Sequence, residues 1–249
     1  MKKLVQLLII SLFFSCSVQE ESKDFSPQLI AHAGGAIDSC IYTNSREAML
    51  RALEKGYRFI EFDFLFTADS VLIAAHSWEK FNMITGCKEF GDSVPTYADF
   101  SSRKIHDRYT PLSAAEINGF FERNDSLYLV TDKISDPDVL QRCFPNLKDR
   151  MVVEAFSFQH YCRLKSQGYF RVLYSCMAPD LNATIFSSSL KEIEWFALHT
   201  SGFESIVFKL IKGLSDFDIA LFTVDDLGVV PEGYRDAVKM VYTDFLEPR

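Results

Sequence analysis

Short apolar runs alternate with stretches of helical spacing along most of this chain, and that alternation restricts the available folds more than any other feature. An apolar run at 28–32 is followed by helical spacing over 44–55, where Ala48, Met49, Ala52 and Leu53 share one side and Gly56 closes the segment. Further strands are expected at 57–66, 71–75, 127–131, 151–155, 170–175, 205–208, 218–224 and 238–242. Helices are expected at 113–123, where Ser113 and Glu116 form a capping-box pattern, at 137–143, 158–167 and 190–199, and near Gly233. Residues 77–112 are less periodic and read as a long functional loop or insertion. Strand and helix in strict turn predict a parallel sheet covered by helices. About eight strands favour a TIM-type (β/α)8 barrel, built as a single domain, over an open doubly wound sheet. The length of 249 residues, 48% of them hydrophobic, suits one large domain.

Residues 57–76 place two acids inside one of these strands. Side chains alternate across an extended chain, so Arg58, Ile60, Phe62 and Phe64 face one way and Phe59, Glu61, Asp63 and Leu65 the other. Burying Glu61 beside Asp63 is costly without a cation or hydrogen-bond donors to offset the charges. Either a metal ion is held there, or the strand is an edge with a solvated acidic face. The aromatic residues around the pair favour burial, and with it the metal.

A formal charge of -8 and the lack of a basic run exclude a nucleic-acid backbone as the main ligand. The N-terminus has two lysines and then an apolar run over 4–14, too short to span a bilayer and of the length of an export signal. Phe13-Phe14-Ser15-Cys16 resembles a bacterial lipoprotein cleavage site, with Cys16 the residue to be lipidated. The expected organisation is therefore a signal at 1–16, a polar tether at 17–27 and a barrel domain at 28–249. Such a protein would be exported and membrane-anchored, in the periplasm or at the cell surface. The other cysteines, Cys40, Cys87, Cys143, Cys162 and Cys176, form no metal motif, and their odd number leaves at least one outside any internal pairing.

In a barrel of this type the chemistry collects at the C-terminal ends of the strands. His32, Glu61, Asp63, His76, Asp132, Glu154, Asp225 and Asp244 all fall at or near predicted strand ends. Two histidines flanking an acidic pair point to acid–base work beside a metal. His106, His160 and His199 lack such settings.

Three segments carry a family resemblance: Ile30-Ala-His-Ala-Gly-Gly35, Thr43-Asn-Ser-Arg-Glu-Ala-Met49, and the run from Ile60 through Glu61 and Asp63 to His76. In order and spacing they resemble the glycerophosphodiester phosphodiesterases, within the wider group of barrel phosphodiesterases that includes phosphatidylinositol-specific phospholipase C. Leu129-Val-Thr-Asp132, Glu154-Ala-Phe-Ser-Phe158, Phe222-Thr-Val-Asp225 and Val241-Tyr-Thr-Asp244 extend the match more weakly. The resemblance implies a divalent cation, Mg²⁺ or Ca²⁺, held by Glu61, Asp63 and Asp132. It implies His32 and His76 as general acid and base, acting on a small phosphodiester or phospholipid-derived substrate. Asn44, Glu154, Gly34 and Gly35 are candidates for substrate contact, although a tight turn explains the two glycines equally well and Glu154 could be structural. Trp78, Phe81 and Tyr97 could wall a lipid or sugar site, but packing of the long loop explains them better.

The sequence departs from the family at Ala33, where an arginine is usual, at Thr43, where a glutamate is usual, and at Ser77, where an aspartate is common. In a regular strand Asp132 and Lys133 point to opposite faces, which would leave the family's lysine without an equivalent. Two alternatives follow: a binding protein whose catalytic shell has decayed, and a phosphodiesterase that releases a cyclic phosphate.

Overall fold

The computed structural model describes residues 25–87 and 93–249; the expected export signal, Cys16 and most of the tether lie outside them. Strand β1 (Gln28–Ala31) leads through a single 3-10 turn to helix α1 (Arg46–Glu54), which the Ser45 hydroxyl caps. After β2 (Phe59–Phe66), β3 (Leu72–Ala74), α2 (Trp78–Ile84) and α3 (Tyr97–Ser102), the chain settles into alternation. The order is α4 (Ala114–Glu122), β4 (Tyr128–Asp132), α5 (Pro137–Cys143), β5 (Met151–Ala155), α6 (Phe158–Ser166), β6 (Arg171–Ser175), α7 (Leu181–Ile185), β7 (Trp195–His199), α8 (Ile206–Leu214), β8 (Asp218–Phe222) and β9 (Val238–Thr243). Eight parallel strands run β1-β2-β4-β5-β6-β7-β8-β9, and β9 pairs back with β1, so the sheet closes into the expected barrel.

Two apolar layers hold the barrel together. Ile30, Phe59, Val130, Val152, Leu173, Ala197, Ala220 and Met240 fill its interior, one from each strand. Ile60, Phe62 and Phe64 point outward against Leu129, Phe144 and the helices. The alternation read from the sequence therefore holds on β2, with Phe59, Glu61 and Asp63 inside. Each fully buried side chain such as Phe62 contributes about 1.5–3 kcal/mol, and this apolar shell is the support that lets a strand carry two buried acids. Among the described residues no helix is long and apolar enough to cross a membrane.

Four expectations need correction. The run at 71–75 is no barrel strand: β3 pairs antiparallel with β2, Phe64 facing Ala74. The link is too short for a parallel crossover, which needs a dozen or more residues. The Thr67 side chain instead bonds both backbone groups of Val71, and Ser70 takes a positive φ, closing a hairpin. Second, the helix expected at 190–199 and the strand expected at 205–208 have exchanged roles. Phe196, Ala197 and Leu198 are all buried, so β7 shows no two-residue period, and Ile206 to Phe208 is drawn into α8, whose Phe208 and Ile211 face the core. Tertiary packing overrides local propensity there. Third, the long loop contains two capped helices, α2 and α3, and Trp78, Phe81, Tyr97 and Phe100 pack in a cluster of their own. Fourth, the helix near Gly233 is only the 3-10 turn Glu232–Tyr234.

Candidate active site

Glu61 and Asp63 leave β2 at the C-terminal mouth of the barrel, and strand register sets Asp63 directly beside Asp132 of β4. Carboxylate oxygens of Glu61, Asp63 and Asp132 lie within 4.8 Å of one another. Glu61 and Asp63 are each only 1% exposed. The Ala33 amide donates to Glu61 Oε2 at 2.6 Å. Asp63 is clamped twice by Asn44, whose Nδ2 donates to Asp63 Oδ2 at 3.0 Å and whose Oδ1 accepts from the Asp63 amide at 3.1 Å. Asp132 is half-buried, and Glu154, from the end of β5, adds a fourth carboxylate that is buried like Glu61 and Asp63.

The electrostatics follow from this crowding. Burial, and then repulsion from Asp63 and Asp132, hold the Glu61 carboxyl well above the usual range. Burial and Asp63 push Asp132 up to about 6, and burial and Asp132 push Glu154 up to about 8. The Tyr242 hydroxyl faces the same acids from the barrel interior and has no hydrogen-bond partner among the described residues. The counter-charge present is Lys133, whose Nζ stands 3.7 Å from Asp63 Oδ1 and 3.7 Å from Asp132 Oδ2. Its φ of +66° breaks the strand alternation and swings the side chain to the inner face beside Asp132. The expectation that Lys133 faces away from Asp132 is thereby corrected.

Three acids with raised pKa values, Glu61, Asp132 and Glu154, make a stability prediction with a definite sign. A carboxyl raised above its unfolded value stabilises the fold below about pH 4, and this stability is lost as pH rises through the folded pKa values, about 6 for Asp132 and about 8 for Glu154. In a chelator the loss between pH 4 and pH 8 should amount to several kcal/mol. Mg²⁺ or Ca²⁺ should therefore raise Tm more at pH 8 than at pH 5; thermal melts showing equal or reversed shifts would contradict the assignment.

The histidines reach the rim by different routes. His32 follows β1 directly, in a turn that Ala33 enters with φ +48° and Gly34 and Gly35 complete with φ +84° and +94°. A Cβ at Gly35 would sit 3.4 Å from Ala52 Cβ, so the glycines serve the turn and its packing on α1. His32 Nδ1 lies 3.0 Å from Asp244 Oδ1, which leaves Nε2 for the cavity. Asp244 is fixed in turn by Asp225, whose Oδ1 accepts from the Asp244 amide at 2.8 Å and the Thr243 hydroxyl at 2.7 Å. His76 arrives through the β3 hairpin, held by the Ala75 amide donating to the Asp63 carbonyl at 2.9 Å. Burial and the Lys133 charge lower its pKa below the ordinary 6.5. Between the two imidazoles stands Tyr42, edge-on to His32 at 4.6 Å and to His76 at 5.0 Å.

A cavity of about 830 Å³ gathers these groups: His32, Glu61, Asp63, His76, Asp132 and Glu154 all line it. Asn44, Gly34 and Gly35 do not; they lie behind the wall, fully or largely buried. Tyr42, Lys133, His160 and His199 line the cavity although the sequence reading gave them no role. Tyr42 had one signal, its place next to Thr43-Asn44; Lys133 had none, because its position depends on a left-handed residue. The five described cysteines are free thiols.

Fold and rim together define a (β/α)8 barrel with an acidic, histidine-flanked cavity at its C-terminal mouth. Neither the protein-family models nor the curated proteins contain a match to the sequence. Solved structures do match. A glycerophosphodiester phosphodiesterase from Parabacteroides distasonis is similar at 21% identity over 87% of this chain and 92% of its own, with a TM-score of 0.62. An Oleispira antarctica phosphodiesterase, solved in complex with the product sn-glycerol-3-phosphate, is similar at 14% identity over 88% and 94%, with a TM-score of 0.58. A Thermotoga maritima glycerophosphodiester phosphodiesterase gives 14% identity over 88% and 95%, with a TM-score of 0.56. At these identities the likeness shows a shared fold.

Proposed function

We propose that this protein is a phosphoric diester hydrolase of the glycerophosphodiester phosphodiesterase type, dependent on a divalent cation. The observation that carries the reading is the convergence of Glu61, Asp63 and Asp132 within 4.8 Å, flanked by His32 and His76 in one cavity. The donor set fits the cation: three hard oxygen ligands, two of them buried, crowd and repel one another and ask for compensation by more charge than Lys133 alone provides. When bound by these three carboxylates, Mg²⁺ or Ca²⁺ would withdraw charge from a non-bridging phosphate oxygen and orient the diester.

The chain's own residues do the rest. His76, held neutral at pH 7 by its lowered pKa, accepts the proton of the attacking water as the new P–O bond forms. His32, oriented by Asp244, delivers a proton from Nε2 to the leaving oxygen as the old P–O bond breaks. The products are an alcohol and a phosphomonoester. Lys133 meets the phosphate charge, and Tyr42 keeps the imidazoles apart. The change of the family's arginine to Ala33 leaves the cradle intact, because the backbone amide of that residue holds Glu61. That favours a working site over a decayed one.

The test is turnover of a panel of glycerophosphodiesters and lysophospholipids with Mg²⁺ or Ca²⁺, followed by phosphorus NMR. A phosphomonoester supports hydrolysis, a cyclic phosphate would transfer the role of water to a substrate hydroxyl, and no turnover would defeat the reading. Because burial and then the Lys133 charge lower the His76 pKa, the acid limb of kcat/KM should lie below pH 6.5 and move to higher pH in Lys133→Met. An unmoved limb would remove His76 as the base.

We also propose that the protein is exported and tethered to a membrane through a lipid on Cys16. Fatty-acid labelling that persists in Cys16→Ser would rule this out.

A further inference from the structure

A second cavity of about 230 Å³ lies between the loops that follow β6 and β7. Met177 and His199 form part of the walls of both cavities, so the two spaces meet across these side chains. The acids and the catalytic histidines come from the β1 to β5 side of the large cavity, and Phe222, also on its wall, meets the His199 ring at the junction edge-on with centroids 5.7 Å apart. Beyond it Leu181, Leu198, Phe208 and Ile211 supply aliphatic and aromatic wall. No Asp, Glu, Lys or Arg is among the described wall residues. Burial pushes the Cys176 thiol up to about 12, which keeps that side of the wall neutral.

The chemistry of this wall selects its occupant. A hydroxyl-rich alcohol entering here would give up water for few partners. The Ser201 hydroxyl is already engaged with His199 Nδ1 at 2.8 Å, and only Asn182 and Ser205 add polar side chains. An aliphatic chain loses nothing on entry. An enclosed apolar cavity of about 150 Å³ takes up benzene; this one is larger and opens to solvent at Asn182 and Ser205, so a chain can enter it. Met177, at the junction, is 69% exposed and would be covered by a chain passing between the cavities; a flexible thioether adapts well to such a contact.

We propose that the side cavity binds a single aliphatic chain carried on one alcohol of the diester, so that the substrates are single-chain lipid phosphodiesters. This rests on the phosphodiesterase reading for the large cavity, and the test separates the two. Alkylphosphocholines, which are diesters of an alkyl alcohol and choline, are titrated below their micelle-forming concentrations by calorimetry, and their turnover is followed separately. With chains of about four to ten carbons, Kd should fall about four-fold per added methylene until the cavity is full, then level off. Asn182→Trp and Ser205→Trp, both at exposed positions on the cavity wall, fill the space and should flatten that slope. Chain-dependent binding that flattens in these variants supports the side cavity; if it occurs without turnover of any diester, the hydrolase reading fails while the lipid site stands. A Kd that does not change with chain length, or a slope that survives in both tryptophan variants, overturns the proposal.

Discussion

Glu61→Gln is expected to lower kcat/KM for a phosphodiester by about 10³-fold while making the cation-free protein more stable. The two effects have one cause. Glu61 is buried between Asp63 and Asp132, and its charge is unfavourable until a cation arrives. Glutamine keeps the shape and can still accept the Ala33 amide hydrogen bond, but it removes the charge that would attract the ion. A residue with a structural role alone would lose stability and activity together. Denaturation in a chelator, alongside kinetics with Mg²⁺ or Ca²⁺, separates the cases: a destabilised variant with unchanged kinetics would refute the role given to Glu61.

The second large effect is expected at His32. Removing a general acid of this kind costs about 10²–10⁴ in kcat, and His32→Ala should fall in that range with KM little changed. Asp244→Asn should lose on the order of 10²-fold, since Asp244 acts only through the orientation and tautomer of His32. The double variant should be no slower than His32→Ala alone, because residues that work as a unit are not additive. Full additivity would show that Asp244 acts independently of the histidine.

Much of the barrel was legible because its signals are local. The cap at Ser113, the turn after His32 and the two faces of β2 all follow from residues close in sequence. The exchange between β7 and α8 was not legible, since Phe196-Ala-Leu198 is buried on both faces and shows no two-residue period. The return of β3 was hidden for another reason: an apolar run does not reveal whether its partner is parallel, and only the hairpin bonds at Thr67 decide it. At the site, the acids and histidines could be read because strand ends collect them. The position of Lys133 could not, because one positive φ reverses the alternation rule. Tyr42 is a similar case, carried between the histidines by a loop in which it also has a positive φ. Asn44 was visible as a candidate, but its burial shows that it holds Asp63 rather than lining the cavity.

The central claim is that Glu61, Asp63 and Asp132 hold a divalent cation on which diester cleavage depends. Its most direct test is the turnover of glycerophosphocholine by protein stripped with EDTA and then titrated with Mg²⁺ or Ca²⁺. The account predicts negligible turnover in the stripped protein and saturable recovery on titration, abolished in Glu61→Gln. Full turnover in EDTA would contradict it.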